Sequence, residues 1–146
     1  MRATDLLRQQ HREARALLGR LAEVPAGDRT ACLAELSAAL RGHADLEEEL
    51  LYPELEDDAD FEELVSDAFQ EHEEIRGALA DLERCPTDDE EFPDLVHALG
   101  DIVQHHLRDE EEELLPRVDA AFGHAALAEL GARMLLRTEP RAPAAP

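Results

Sequence analysis

Two stretches of the chain decide the fold: His43-Ala44-Asp45-Leu46-Glu47-Glu48-Glu49-Leu50-Leu51-Tyr52-Pro53 and His106-Leu107-Arg108-Asp109-Glu110-Glu111-Glu112-Glu113-Leu114-Leu115-Pro116. Each holds a His, a Glu four residues later, an acidic run, two leucines, and a proline ten residues after the His. On a helix, positions i and i+4 share one face. Each stretch therefore presents an imidazole and a carboxylate in the same direction, and two such pairs facing each other supply the donor atoms of a two-metal site.

Outward from these stretches the apolar spacing is helical throughout. A first helix is expected over about Thr4 to Val24, capped by Thr4 or Asp5 and stopped by Pro25-Ala26-Gly27, with a buried stripe Leu7, His11, Ala14, Leu18, Leu21. A second, capped by Asp28, runs to about Glu54 with the stripe Leu33, Leu36, Leu40, His43, Glu47, Leu50; Pro53 kinks or ends it. A third, capped by Asp60, runs from near Phe61 to near Cys85 and buries Val65, Ala68, His72, Ile75, Leu79 and Leu82. The fourth starts within Thr87 to Glu91 or at Pro93, ends around Phe122, and carries the stripe Leu95, Leu99, Ile102, His106, Glu110 and Glu113 or Leu114. Gly123 breaks the chain before a short fifth helix, His124 to Leu136, that docks through Leu127, Leu130, Met134 and Leu135. The expected architecture is all-α: an up-down-up-down four-helix bundle with a short C-terminal fifth helix. Residues 1–137 form the single domain, and 138–146 a disordered Pro/Ala tail.

A second repeat accompanies the first. His11-Arg12-Glu13-Ala14-Arg15 matches His72-Glu73-Glu74-Ile75-Arg76, both reading His-x-Glu-x-Arg. The halves thus read as two copies of one helical hairpin, each bearing a His and then His-x-x-x-Glu. An antiparallel pairing of the copies places their polar residues around an approximate two-fold axis at mid-bundle.

Composition narrows the functions. The net charge is −22, and all 14 basic residues are Arg. Neutralising phosphates takes clustered Lys and Arg, so nucleic acid is not an expected partner. No apolar run has the length of a membrane span and no basic-then-apolar leader is present. Cys32 and Cys85 lack the short spacings of zinc or redox motifs and suit a reduced, cytoplasmic protein. There is no nucleophile elbow, no phosphate-binding glycine loop, and no residue marked as catalytic apart from the metal-ligating types.

His11, His43, Glu47, His72, His106 and Glu110 all replace apolar residues on inward stripes at matching depth. A lone His on such a face is more often a hydrogen-bonded core residue than a ligand. For four of them, with two carboxylates that are costly to bury unpaired, mutual satisfaction through metal is the better account. Imidazole with carboxylate suits iron, manganese or zinc, and two bridging carboxylates suit ions roughly 3.5–4 Å apart. His105 points about 100° away from His106, toward Asp101 and Asp109, and His97 and His124 also lie off the stripes. Glu48, Glu49, Glu111 and Glu112 read as a solvated face. Glu113, three residues past Glu110, is a candidate for a position just outside the ligand set.

The pattern His … His-x-x-x-Glu … His … His-x-x-x-Glu over His11 to Pro116 resembles the haemerythrin-like (HHE cation-binding) domain. The resemblance implies a four-helix bundle holding two non-haem iron ions, oxo- or hydroxo-bridged, in preference to manganese or zinc. It also implies that His11, His43, His72 and His106 are ligands and that Glu47 and Glu110 are bridges. Oxygen-carrying haemerythrins resemble this pattern but have a further His one turn after the third motif histidine, where this chain has Arg76. Without that fifth imidazole the two metals are expected to be coordinated more nearly alike, which disfavours a pure carrier. Arg15 and Arg76 face the ligand side by spacing. A salt bridge to outer carboxylates and an extension to solvent are both open to them, and extension is the expected one.

Three functions follow. The first is a di-iron protein reacting with or binding dioxygen, peroxide or nitric oxide, with catalase-like peroxide handling favoured because relatives lacking the fifth His include proteins linked to peroxide removal. The second is a non-enzymatic sensor of oxygen, iron or redox state, whose output needs a protein partner. The third, a metal-free acidic module, leaves six inward polar residues unexplained.

Overall fold

A computed structural model describes residues 1–138; of the expected tail, Thr138 instead ends the last helix, and residues 139–146 lie outside the described residues. Among those residues the architecture is all-helical. Helix α1 spans Ala3–Glu23 and α2 spans Arg29–Leu46, the latter continuing through a wide five-residue turn, Glu47–Leu51. Helix α3 spans Glu62–Arg84. Helix α4 spans Phe92–Asp109 and passes through a second wide turn, Glu110–Leu114, into α5, Leu115–Ala121. Helix α6 spans His124–Thr138.

The four long helices alternate up and down, as expected, and α6 is the short fifth element that packs on α1 and α2. Two apolar clusters fill the bundle. The upper one joins Leu18, Leu36, Leu79, Phe92 and Leu99; the lower one joins Leu7, Leu51, Tyr52, Val118 and Met134. Between them lies a polar layer of His11, His43, Glu47, His72, His106 and Glu110, all buried.

The wide turns follow from the two prolines. Pro lacks an amide hydrogen and collides with the carbonyl four residues back. The backbone relieves this with hydrogen bonds that reach five residues: Tyr52 N–H donates to the Glu47 carbonyl, and Leu115 N–H to the Glu110 carbonyl. Such π turns cluster at functional sites, and here both open on the inward glutamate. After Pro53 the helix ends in a single 3₁₀ turn, Tyr52–Glu54, whereas after Pro116 it continues as α5.

Several expected details differ. On α4 the buried positions are Phe92, Val96, Leu99, Val103 and His106, while Leu95 and Ile102 are half-buried, because at those two turns the inward position falls one residue later on the helix. The π turn rotates Leu51 fully into the core and leaves Leu50 half-buried. Val65 is likewise half-buried, and Leu135 is exposed. Thr4 does not cap α1: its hydroxyl donates to Asp119 at 2.6 Å, tying the start of α1 to α5, and Asp5 pairs with Arg2. Asp28 occupies the cap position of α2 without a side-chain bond. Asp58, not Asp60, accepts the backbone N–H before α3, because a 3₁₀ turn over Ala59–Phe61 shifts the start to Glu62.

Helix α6 approaches α1 closely at Gly131. A methyl group there would lie 2.2 Å from the Met1 carbonyl oxygen and 2.9 Å from the Ala3 nitrogen, whereas one at Gly19 meets nothing within 4 Å. Gly131→Ala is therefore expected to destabilise the fold by about 1–3 kcal/mol, as overpacking does. Gly19→Ala is expected to stabilise it by about 1 kcal/mol through helix propensity alone. Thermal melts of the two variants check this, and equal shifts would contradict the packing of α6.

Candidate metal centre

Helical phasing delivers one imidazole each from α1, α2, α3 and α4, and one carboxylate each from the two π turns. The Nε2 atoms face the centre. His43 Nε2 lies 3.0 Å from Glu47 Oε1 and His106 Nε2 lies 2.6 Å from Glu110 Oε1, the two i,i+4 pairs of the repeats. Each carboxylate also reaches the other hairpin. Glu47 Oε1 is 3.2 Å from His72 Nε2, and Glu110 is 3.7 Å from His11 Nε2 and 3.6 Å from His43 Nε2. The rings pair by hairpin, His11 with His43 and His72 with His106, at centroid distances of 4.8 and 4.7 Å. Glu47 and Glu110 thus each lie between the two ring pairs, within reach of both.

The outward nitrogens are held in a cycle around the bundle. His43 Nδ1 on α2 lies 2.8 Å from Gln10 Oε1 on α1. His72 Nδ1 on α3 lies 2.6 Å from Glu48. His106 Nδ1 on α4 lies 2.7 Å from Glu71 on α3, and His11 Nδ1 on α1 lies 3.4 Å from Glu111. Every partner sits on the preceding helix, adjacent in sequence to that helix's own inward group. An acceptor on Nδ1 keeps the proton there and leaves the Nε2 lone pair for the centre.

Glu48 and Glu111 are therefore not a solvated face. Nor do Arg15 and Arg76 simply extend to solvent. Arg15 grips both oxygens of Glu111 at 3.1 and 2.7 Å, and Arg76 meets Glu48 at 2.9 Å as well as Asp45 at 2.9 Å. The Arg of each His-x-Glu-x-Arg repeat thus clamps the carboxylate that orients the His of the same repeat. Glu113, by contrast, is exposed and bonds to none of these groups. His97 and His105 are exposed as expected, but His105 faces Asp109 and Glu71, while Asp101 pairs with His97.

Tyr52 was not singled out by spacing. It is fully buried, its ring is stacked on His72, and its hydroxyl lies 3.5 Å from His72 Nε2. Burial, with the charges of Glu47 and Glu110, pushes its phenol well above the usual range, so it stays a hydrogen-bond donor. The available signal was the repeat itself: Tyr52 is the single Tyr of the chain and stands where the second copy has Leu115.

The inner atoms fit a cation. Nε2 of His11 and of His43, Oε2 of Glu47 and both carboxylate oxygens of Glu110 are buried without a hydrogen bond. Orphaned polar atoms of this kind are rare in native interiors, and here five share one layer. Ligand atoms of His43, Glu47, His106 and Glu110 lie within 4.8 Å of one another. A buried four-helix set of imidazole nitrogens and carboxylate oxygens defines a bundle-core metal-site class. In agreement, residues 2–118 match the Hemerythrin HHE cation binding domain, and the chain belongs to that family.

A hemerythrin HHE cation binding domain-containing protein of Mycobacterium kansasii has a similar crystal structure. Its TM-score is 0.84 at 26% identity, over 94% of this chain and 85% of that one. A protein of Nostoc sp. (strain PCC 7120 / SAG 25.82 / UTEX 2576) named DNA nickase is 34% identical over 82 residues, which is 54% of this chain. The match covers only 22% of that relative's length. Among the described residues no helix is long and apolar enough to cross a membrane.

The metal-free centre titrates in a defined direction. Burial disfavours the imidazolium of His43 and of His106, but the adjacent Glu47 and Glu110 prevail and raise both to about 10. Burial likewise opposes ionisation of Glu110, but the adjacent His106 imidazolium holds it well below the usual 4.5. A raised His contributes stability that is complete below its unfolded value of 6.5 and lost as pH rises through about 10. A depressed carboxyl contributes stability that is complete above 4.5 and lost as pH falls. Chelator-treated protein is therefore expected to melt at a higher temperature near pH 5.5 than near pH 9.5, about one unit above and three units beyond those unfolded values. Glu110→Gln should shrink that difference; an unchanged difference would contradict the coupling.

Proposed function

We propose that His11, His43, Glu47, His72, His106 and Glu110 hold two non-haem iron ions, and that the protein handles peroxide in a catalase-like way. The observation that carries this reading is the near-equivalence of the two half-sites. Arg76, at the position of a fifth imidazole, is committed to Glu48 and Asp45. Each half then has two imidazoles and a share of both carboxylates, with no additional nitrogen to set one half apart. Iron bound there would supply two-electron redox chemistry toward an O–O bond, for which disproportionation of two peroxides to dioxygen and two waters balances.

The chain's own groups have separate tasks. Glu47 and Glu110 bring negative charge to both halves. Gln10, Glu48, Glu71 and Glu111 fix the imidazole tautomers. The apolar clusters above and below keep bulk water from the layer. Tyr52 presents a protonated hydroxyl at the His72 edge, suited to donating a hydrogen bond to an oxygen ligand. The activity in the name of the Nostoc relative is not carried over, since a chain of charge −22 without Lys is poorly suited to a phosphate backbone.

Purified protein from iron-replete cells should contain about two irons per chain, the number that a paired-metal centre requires. It should evolve oxygen from hydrogen peroxide, and Glu110→Ala should abolish both properties. Iron retained without oxygen evolution would replace the enzyme by a binder or sensor. Absence of bound iron would overturn the reading altogether.

A further inference from the structure

The duplicated hairpins act as internal controls for each other, and on one face they differ. Aligning His72 with His11 and His106 with His43 places Glu71 opposite Gln10, His105 opposite Gly42 and Asp109 opposite Leu46. The α3–α4 face thus carries ligand-type side chains at three positions whose α1–α2 counterparts have none. These side chains converge. His105 Nε2 lies 3.1 Å from Asp109 Oδ2 and 3.6 Å from Glu71 Oε2, and ligand atoms of all three fall within 4.8 Å of one another. His105 is 67% exposed and Glu71 17%, so the trio spans the boundary between solvent and interior.

Two further observations connect the trio to the buried layer. Glu71 is shared: Oε2 faces His105, while Oε1 accepts from Nδ1 of His106 at 2.7 Å. In addition, a cleft of about 40 Å³, lined by Asp67, Glu71, Asp109 and Glu113, has Glu110 in its wall. Glu110 is 2% exposed, and neither of its carboxylate oxygens accepts a hydrogen bond. That volume exceeds what one water needs. A cleft on the opposite face touches His43 and is also lined by Glu13 and Asp45, but there Gln10, Gly42 and Leu46 replace the trio and Arg137 adds a positive charge.

We infer that Glu71, His105 and Asp109 form an outer divalent-cation site at the mouth of this cleft, from which a cation passes to the buried set beside Glu110. The inference rests on the reading of the buried layer as a metal centre. One imidazole with two carboxylates suits first-row divalent ions. Three ligands at an exposed position bind weakly enough to release, as a transit site must. Asp67 and Glu113 extend the negative walls, and clefts lined by one sign of charge focus the field and raise local cation concentration. Glu71 links the two positions, because one carboxylate serves both the outer trio and the imidazole of His106. A merely solvated acidic face would account for the charge, but not for a His and two carboxylates meeting over an orphaned buried glutamate.

The test is the rate of metal uptake by the full chain. Chelator-treated protein is mixed with Co²⁺, whose absorption on binding is followed by stopped flow, and final cobalt per chain is measured after equilibration. The control is His97→Ala with Asp101→Asn: the same residue types and spacing on the same helix, with the same charge change, but no third ligand. His105→Ala with Asp109→Asn should slow loading by about tenfold, the lower range of what charge focusing gives an association rate. Its final cobalt content and the loading rate of the control should match the wild type. Equal rates in both double variants would overturn the transit site while leaving the buried centre standing. A reduced final content in the His105/Asp109 variant would also overturn it, by making the trio part of the centre's stability. Absence of tightly bound cobalt in the wild type would overturn both readings.

Discussion

Two carboxylates buried at the middle of the bundle constrain everything around them. Glu47 is 0% exposed and Glu110 2%, and an unpaired buried carboxylate costs several kcal/mol or changes its protonation. The chain answers at two levels. The outer nitrogens of the four histidines are satisfied in a ring by Gln10, Glu48, Glu71 and Glu111, and two arginines clamp that ring. The inner atoms are left unsatisfied and aimed at common points. The apolar clusters above and below bear the stability of the fold, so the polar layer is free to be specialised. A protein that spent the layer on stability would be expected to fill it with apolar groups, since replacing buried charges by well-packed hydrophobes is often neutral or stabilising.

The helices and the six inward polar groups were legible because they depend on periodicity alone, and the His-x-x-x-Glu repeats set the phase of α2 and α4 near mid-bundle. Legibility declined where the local helix departs from ideal geometry. The π turns after Glu47 and Glu110 add a residue to the turn, which is why Leu51 replaces Leu50 in the core. Caps were misread because Thr4 and Asp5 found side-chain partners, one of them across the bundle at Asp119. Glu48 and Glu111 looked solvated because each follows an inward residue by one position, hence points sideways. In a bundle, however, sideways is toward the next helix, and at this depth the next helix offers an imidazole. The same neighbour relation captures Arg15 and Arg76.

The frame is nearly two-fold, and the departures from that symmetry fall at a few named positions. Tyr52 against Leu115 puts a hydroxyl on one side of the layer. Glu71 against Gln10 puts a charge behind His106 but an amide behind His43, a difference expected to make the His106 nitrogen the more strongly donating of the two. Helix α6, anchored by the close approach at Gly131, covers the lower end of one hairpin and, among the described residues, has no counterpart on the other. Membership of the HHE cation-binding family accounts for the frame.

The central claim, that the six buried groups hold a pair of metal ions, is tested most directly by anomalous diffraction from crystals of iron-loaded protein. The account predicts two peaks about 3.5–4 Å apart within the polar layer, the spacing of paired-metal centres. One should lie beside His11 and His43, the other beside His72 and His106, with Glu47 and Glu110 reaching both. A single peak, or peaks only at the protein surface with the layer closed by hydrogen bonds, would contradict it.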